Sequence, residues 1–332
     1  EWGLWDEDLA DRIRVVRTRM AAPRLGLDEL TWAEMAASVD CIFHFGGGRD
    51  GAIAPYTAMS RLNVTSTRSL LALAATHHPK AVHVLSTLHC ARPRRGVLTE
   101  VAAARPPSLV GPYTSTKWAV EQLVTHAAGN GIFARAHRVG EVAYSSSGCS
   151  DEQSLLVRLL RASIEIGVVP RGTFPAVLST AEHTVAAVIA LAQIPRTEAP
   201  PVVNVVDPAA ARAAPLRLAP LLHAAGVTVE ERSHLAWRAA VTDHAAEGGA
   251  PVLPRQRARG IVHDRGRLRS AARDVALWSR HAGRSYEVDA ASARAAAVPA
   301  DQALHPDVIT RVLRSLTEQV PQAERGAVDV RR

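Results

Sequence analysis

Apolar, β-branched stretches alternate along the chain with longer runs in which apolar residues recur every three or four positions. The strand-like stretches are IRVV (13–16), CIFHF (41–45), AVHVLS (81–86), IFARAHRV (132–139) and VVNVV (202–206). Helical periodicity covers the intervening runs at about 29–38, 55–76, 114–129, 152–166 and 180–193. Alternation of this kind predicts βαβ units and therefore an α/β fold with a doubly wound parallel sheet. Such sheets bind ligands at the carboxyl ends of their strands, where Phe45, Gly46, Thr87, Val139 and Gly140 would line one edge. Beyond residue 207 the pattern weakens to short helices at 216–225, 234–246 and 305–318, joined by connections rich in Gly, Pro and Arg. The expected organisation is a sheet-containing core over 1–207 and a smaller, mainly helical lobe over 208–332.

Composition narrows the setting. The chain has 332 residues, 47% of them hydrophobic, yet no apolar run approaches the roughly 20 residues that span a bilayer. Residues 1–12 are acidic and lack the apolar segment of a secretory signal. Cys41, Cys90 and Cys149 are scattered, with no CxxC spacing. These features predict a cytoplasmic protein with no membrane partner and no metal site. The net charge of +7 is concentrated in part in RQRARGIVHDRGRLRSAAR (255–273), which carries no aromatic residue to stack on bases. Nucleic acid is therefore not the expected partner; the segment reads as a solvated basic face or a contact for an acidic protein.

The basic residues are unevenly chosen: 39 Lys and Arg include only two lysines, Lys80 and Lys117, leaving 37 arginines. A lysine kept against that bias is a candidate for work that needs a compact, titratable ammonium. Lys80, beside Pro79 in a polar stretch, reads as surface. Lys117 stands four residues after Tyr113 in GPYTSTKWAVEQLV (111–124), so on a helix the two side chains share a face one turn apart. A cation in that position lowers the phenol's ordinary pKa near 10 and makes it a better proton donor or acceptor near neutrality. Upstream, Ser86-Thr87 ends a strand stretch, where a hydroxyl can hydrogen-bond a substrate carbonyl.

Hydroxyl, phenol and ammonium in that order resemble the working set of the short-chain dehydrogenase/reductase superfamily. Its extended branch carries an Asn-Val-x-x-Thr segment, matched here by Asn63-Val64-Thr65-Ser66-Thr67. More specifically, the chain resembles the thioester reductase domains of nonribosomal peptide and polyketide synthetases and of carboxylic acid reductases. The likeness rests on 23–47, 55–74, VHVLSTL (82–88), YTSTKWAVEQLV (113–124) and RVGEV (138–142), and continues more loosely through VVNVVDP (202–208), Trp237 and PDVITRVLRSL (306–316).

The resemblance implies a Rossmann-like fold and NADPH as cofactor. It makes Thr87 the residue that orients the carbonyl and Tyr113 the proton donor. Lys117 would hold the nicotinamide ribose and tune Tyr113, and Asn63 would support the lysine through water. Phe45, Gly46, Gly47, Ser86, Val139 and Gly140 would contact the cofactor, with His44 structural or cofactor-adjacent. The implied partner is a carrier protein whose phosphopantetheine arm bears an acyl or peptidyl thioester, released as aldehyde or alcohol.

Three departures accompany the likeness. The family's opening strand and glycine-rich turn are not seen; Gly46-Gly47-Gly48 follows the CIFHF stretch one unit later, as a cofactor approach or a flexible turn. Arg19 stands where the family has an aspartate, and Ser179-Thr180-Ala181 where it has Pro-Val-Asp. Either the glycine-rich unit precedes Glu1 in a longer chain, or the fold is kept without it. The readings left open are a thioester reductase, a non-catalytic module for cofactor sensing or carrier docking, and a nucleotide-sugar epimerase or dehydratase.

Overall fold

The computed structural model describes residues 7–48, 54–91, 96–104, 111–151, 154–172, 178–206, 217–246, 287–298 and 306–318. The basic segment 255–273 lies outside them. In chain order the strands are β1 (Cys41–His44), β2 (Ala81–Thr87), β3 (Val97–Leu98), β4 (Ala134–Val139), β5 (Glu141–Tyr144), β6 (Val168–Pro170), β7 (Leu178–Thr180), β8 (Val202–Val205), β9 (Glu230–Arg232) and β10 (Glu287–Val288). The helices are α1 (Glu29–Ser38), α2 (Tyr56–Ser60), α3 (Ser66–Ala75), α4 (Pro112–Gly129), α5 (Leu155–Ile166), α6 (Ala181–Gln193), α7 (Leu218–Ala224) and α8 (His234–Ala246), followed by Ala291–Ala295 and Pro306–Glu318.

The central sheet has the order β1-β2-β4-β8, parallel throughout. Its register places Thr87 opposite Val139, so the carboxyl ends of β2 and β4 finish level. The alternation of each strand sorts its side chains between two layers. Val82, Val84, Ala134, Ala136 and Val202 face α3 and α4, meeting Leu70, Leu73, Val120 and Val124. Val139, Val203 and Val205 face α6, meeting Ala187, Val188 and Leu191.

The polar residues of IFARAHRV are accommodated in the interior. Arg135 is 1% exposed, and its guanidinium donates to the carbonyls of Leu191, Ile194, Pro195 and Ala199 at and beyond the end of α6. A cation at a helix carboxyl end satisfies carbonyls that the helix itself leaves unbonded. His83 and His137 pair across β2 and β4 at 3.1 Å, and burial lowers the pKa of both, that of His83 to about 4.

Two expectations are corrected. Residues 13–16 form no strand: Ile13 and Val15 are 50% and 84% exposed, and Arg14 is drawn to Glu34 of α1. β-Branched propensity needs a neighbouring strand to become structure, and β1, the outer strand of the sheet, pairs among the described residues only with β2. Lys80 is not on the surface. It is 1% exposed, and its Nζ donates to Thr76 and His78 carbonyls, both at 2.9 Å, just past the end of α3.

The helical run at 55–76 is interrupted by one π turn over Arg61–Thr65, between α2 and α3. Such turns widen the helix by one residue and often re-aim a side chain; here the turn carries Asn63, 2% exposed. A second core joins Tyr144, Leu156, Leu160, Ile164 and Leu178 to Leu218, Leu222, Val312, Leu313 and Leu316, and so draws on both sides of residue 207. Trp237 of α8, fully buried, donates its indole N–H to Ser163 Oγ of α5 at 3.2 Å. β10 returns to pair with β3, and Glu100 binds Asn204 and Ser292, tying the residues after β10 to the sheet. Among the described residues, no helix is long and apolar enough to cross a membrane.

Candidate active site

Gly111 in extended conformation precedes Pro112 at the first position of α4, where a missing N–H costs nothing because the first helical donors lack intrahelical partners. This start places Tyr113 in the first turn and Lys117 one turn on. Lys117 is 7% exposed; its Nζ donates to the Leu85 carbonyl of β2 at 2.7 Å and stands 5.9 Å from the centre of the Tyr113 ring. Burial pulls the ammonium down from its ordinary 10.5 to about 8, with the Glu121 charge opposing the shift. Trp118 points away from the pair and donates to the Ala103 carbonyl at 2.7 Å, anchoring the segment beside α4.

Thr87 ends β2, 5% exposed, and its Oγ1 accepts from the His89 N–H at 3.3 Å. It shares the sheet edge with Val139 and Gly140. Ser86 faces the other way: its hydroxyl donates to Glu121 Oε1 at 2.6 Å, so only its backbone belongs to the edge. Phe45 lies one residue past β1, 46% exposed, with its ring edge-on to Phe43.

The three glycines form a strap against the site. Gly48 N–H donates to Asn63 Oδ1 at 2.9 Å. A Cβ on Gly47, whose φ is +157°, would stand 2.6 Å from that same oxygen and 3.8 Å from Lys117 Nζ. A Cβ on Gly46 would meet Met20 Cε at 2.8 Å. The strap is therefore packed and bonded, not a loose turn.

Asn63 Nδ2 donates to Thr116 Oγ1 at 2.9 Å, and Thr116 donates to the Tyr113 carbonyl at 2.8 Å. Asn63 thus joins the strap to α4 through Thr116, the residue before Lys117. His44 Nε2 lies 3.1 Å from Ser66 Oγ; burial first, then the Lys117 charge, lower its pKa to about 4, so it adds no charge near neutrality.

The structure brings Thr87, Tyr113, Lys117, Gly47 and Asn63 to one end of the sheet. Sequence reasoning missed Thr116, Glu121 and Arg138. Glu121 had one legible signal, its place one turn after Lys117 on the same helix face; Arg138 and Thr116 had none.

The profile of a family described as male sterility protein, a group of NAD-binding domains, matches residues 1–188. The chain belongs to this family, within the extended short-chain dehydrogenase/reductase superfamily. Isonitrile lipopeptide synthase of Streptomyces coeruleorubidus is 36% identical over 163 residues, 48% of this chain and 11% of the synthase. L-2-aminoadipate reductase of Saccharomyces cerevisiae is 30% identical over 185 residues, 51% of this chain and 13% of the reductase. The chain thus spans a small part of the length of these relatives. The terminal R domain from the myxalamid PKS-NRPS biosynthetic pathway has the same Rossmann-like fold, with a TM-score of 0.77 at 24% identity, over 96% of this chain and 78% of that domain.

The edge fits a nicotinamide dinucleotide. The strap presents backbone where a side chain has no room, and a buried ammonium stands beside it with donor capacity beyond its one bond to Leu85. Gly47→Ala is accordingly expected to weaken dinucleotide binding on the order of 10-fold or more, because the new methyl must displace Asn63 or the strap itself. A fluorescence titration with the reduced cofactor reads this directly; unchanged affinity in the folded variant would show that the strap is not part of the cofactor seat.

Proposed function

We propose that this chain is an NADPH-dependent reductase acting on an acyl or peptidyl thioester carried on the phosphopantetheine arm of a carrier protein. The observation that carries the reading is the Tyr113–Lys117 pair, with Lys117 buried and fastened to the last residues of β2 beside Thr87. The names of the relatives support it, one a lipopeptide synthase and one an aminoadipate reductase. Residues 1–207 would form the cofactor-binding core and 208–332 the lobe that receives the carrier-bound chain.

The bound cofactor would supply a hydride to the carbonyl carbon. Thr87 would hold the carbonyl oxygen by its hydroxyl, and Tyr113 would give that oxygen a proton as negative charge develops on it. The Lys117 ammonium would favour the phenolate that remains and would hold the ribose hydroxyls of the cofactor. As its C–S bond breaks, the tetrahedral product's hydroxyl would give up its proton to the sulfur, releasing the free phosphopantetheine thiol and leaving an aldehyde; a second round of reduction at the same residues would give the alcohol. Gly46, Gly47 and Gly48 admit the dinucleotide backbone, and Asn63 keeps the strap in register with α4.

The test is cofactor consumption with an acyl thioester loaded on a phosphopantetheinylated carrier protein, with trapping of the aldehyde. Stoichiometric oxidation, faster with NADPH than with NADH, is expected. Cofactor binding without turnover would replace this reading with a non-catalytic docking or sensing module.

A further inference from the structure

Behind the site lies a charge pair that the reaction above does not use. The Glu121 and Arg138 side chains are both completely shielded from solvent. Glu121 Oε1 accepts from Ser86 Oγ at 2.6 Å, from Cys90 Sγ at 2.8 Å and from Arg138 Nε at 2.8 Å, while Oε2 accepts from Arg138 Nη2 at 2.7 Å. Arg138 also donates to the Thr99 and Val101 carbonyls, both at 2.9 Å. One carboxylate therefore gathers α4, the end of β2, the turn after it and β4.

A buried ion pair is poor evidence of a stabilising role, since well-packed apolar residues often serve the fold as well or better. What the pair does here is geometric. Ser86 and Cys90 bracket Thr87, and both are held by the same oxygen. Lys117, one turn before Glu121 on α4, is fastened to Leu85, the residue before Ser86. The Cys90 thiol, pushed up to about 12 by burial and the Glu121 charge, remains a protonated donor throughout the neutral range.

We propose that Glu121, fixed by Arg138, is a positioning residue that sets the placement of Thr87 relative to Lys117 and the charge that Lys117 experiences; the inference rests on the reductase reading. The titratable and charged groups around the ammonium are His44 from β1, Cys90 after β2, Tyr113 and Glu121 from α4, and Arg138 from β4 behind Glu121. His44 is neutral and Cys90 protonated near neutrality, so Glu121 supplies the anionic charge among them.

The scarcity of lysine makes the test direct, because protein labelled with ¹³C in its lysine side chains reports only Lys80 and Lys117. Glu121→Gln should move the Lys117 titration midpoint downward and lower kcat on the order of 10-fold or more with little change in KM. The double variant Ser86→Ala, Cys90→Ala keeps the charge pair and releases the turn. It should leave the Lys117 midpoint in place and still lower kcat, and it carries the test if Glu121→Gln does not fold. Wild-type kcat in the folded double variant, or an unmoved Lys117 midpoint in folded Glu121→Gln, overturns the proposal. Failure of the wild-type protein to reduce any carrier thioester would instead overturn the reductase reading, and the lysine titration would still decide the electrostatic half.

Discussion

Tyr113→Phe is expected to lower the rate of thioester reduction by about 10²- to 10⁴-fold, the range that a positioned general acid contributes. The substitution removes one oxygen and keeps the ring that stands 5.9 Å from Lys117 Nζ. Because Tyr113 is only partly buried, at the start of a helix whose other contacts are unchanged, thermal stability and cofactor affinity should stay close to those of the unaltered protein. Single-turnover kinetics with a carrier-bound thioester, alongside a cofactor titration, separate the two. A folded variant with an unchanged rate would remove Tyr113 from the chemistry and leave Thr87 as the only hydroxyl at the sheet edge proposed to act on the carbonyl.

Most of the central sheet was legible because its strands are short apolar runs between clear helical periods. The stretches at 41–45, 81–86, 132–139 and 202–206 correspond to β1, β2, β4 and β8. The stretch at 13–16 has the same local character and forms no strand, because strand formation depends on a partner that local sequence does not name. The π turn at Arg61–Thr65 was equally hidden: the run at 55–76 keeps its helical period, and one extra residue per turn leaves no compositional mark.

Within the site, the Tyr113–Lys117 spacing was readable since both residues belong to one helix. The contacts of Asn63 with Thr116 and of Glu121 with Arg138 cross 53 and 17 residues and depend on which helix packs over which strand. Lys80 shows how composition misleads. Scarcity of lysine marked both survivors as special, and a polar neighbourhood argued that Lys80 was surface; in the structure its three-proton head closes the carbonyls past α3.

Lys117→Met is expected to abolish turnover, by about 10³-fold or more, and at the same time to stabilise the fold. The rate loss follows because methionine neither favours the phenolate nor donates to the ribose. The stability gain follows from burial: holding the ammonium at about 8 instead of 10.5 costs the folded state about 3 kcal/mol at neutral pH. Loss of the bond to the Leu85 carbonyl takes back about 1 kcal/mol, leaving a net gain of about 2 kcal/mol. The sign of the pH dependence is fixed by which state binds the proton more tightly. Below about pH 8 both folded and unfolded Lys117 are protonated and the penalty is complete. Between about 8 and 10.5 only the unfolded lysine keeps its proton, so the stability of the unaltered protein rises with pH across that window. Denaturant unfolding at pH 7 and pH 9.5 should therefore show the advantage of Lys117→Met shrinking toward zero or reversing. The same deprotonation should give the activity of the unaltered protein an alkaline limb near pH 8. Equal advantage at both pH values would mean that the buried group is not an ammonium of depressed pKa. Lys117→Arg tests the geometry with the charge kept, and the 37 arginines elsewhere make it the substitution the chain's own composition favours. With Nζ 2.7 Å from the Leu85 carbonyl and close to the Gly47 strap, the larger planar guanidinium does not reproduce the ammonium's placement, and no recovery of activity is expected.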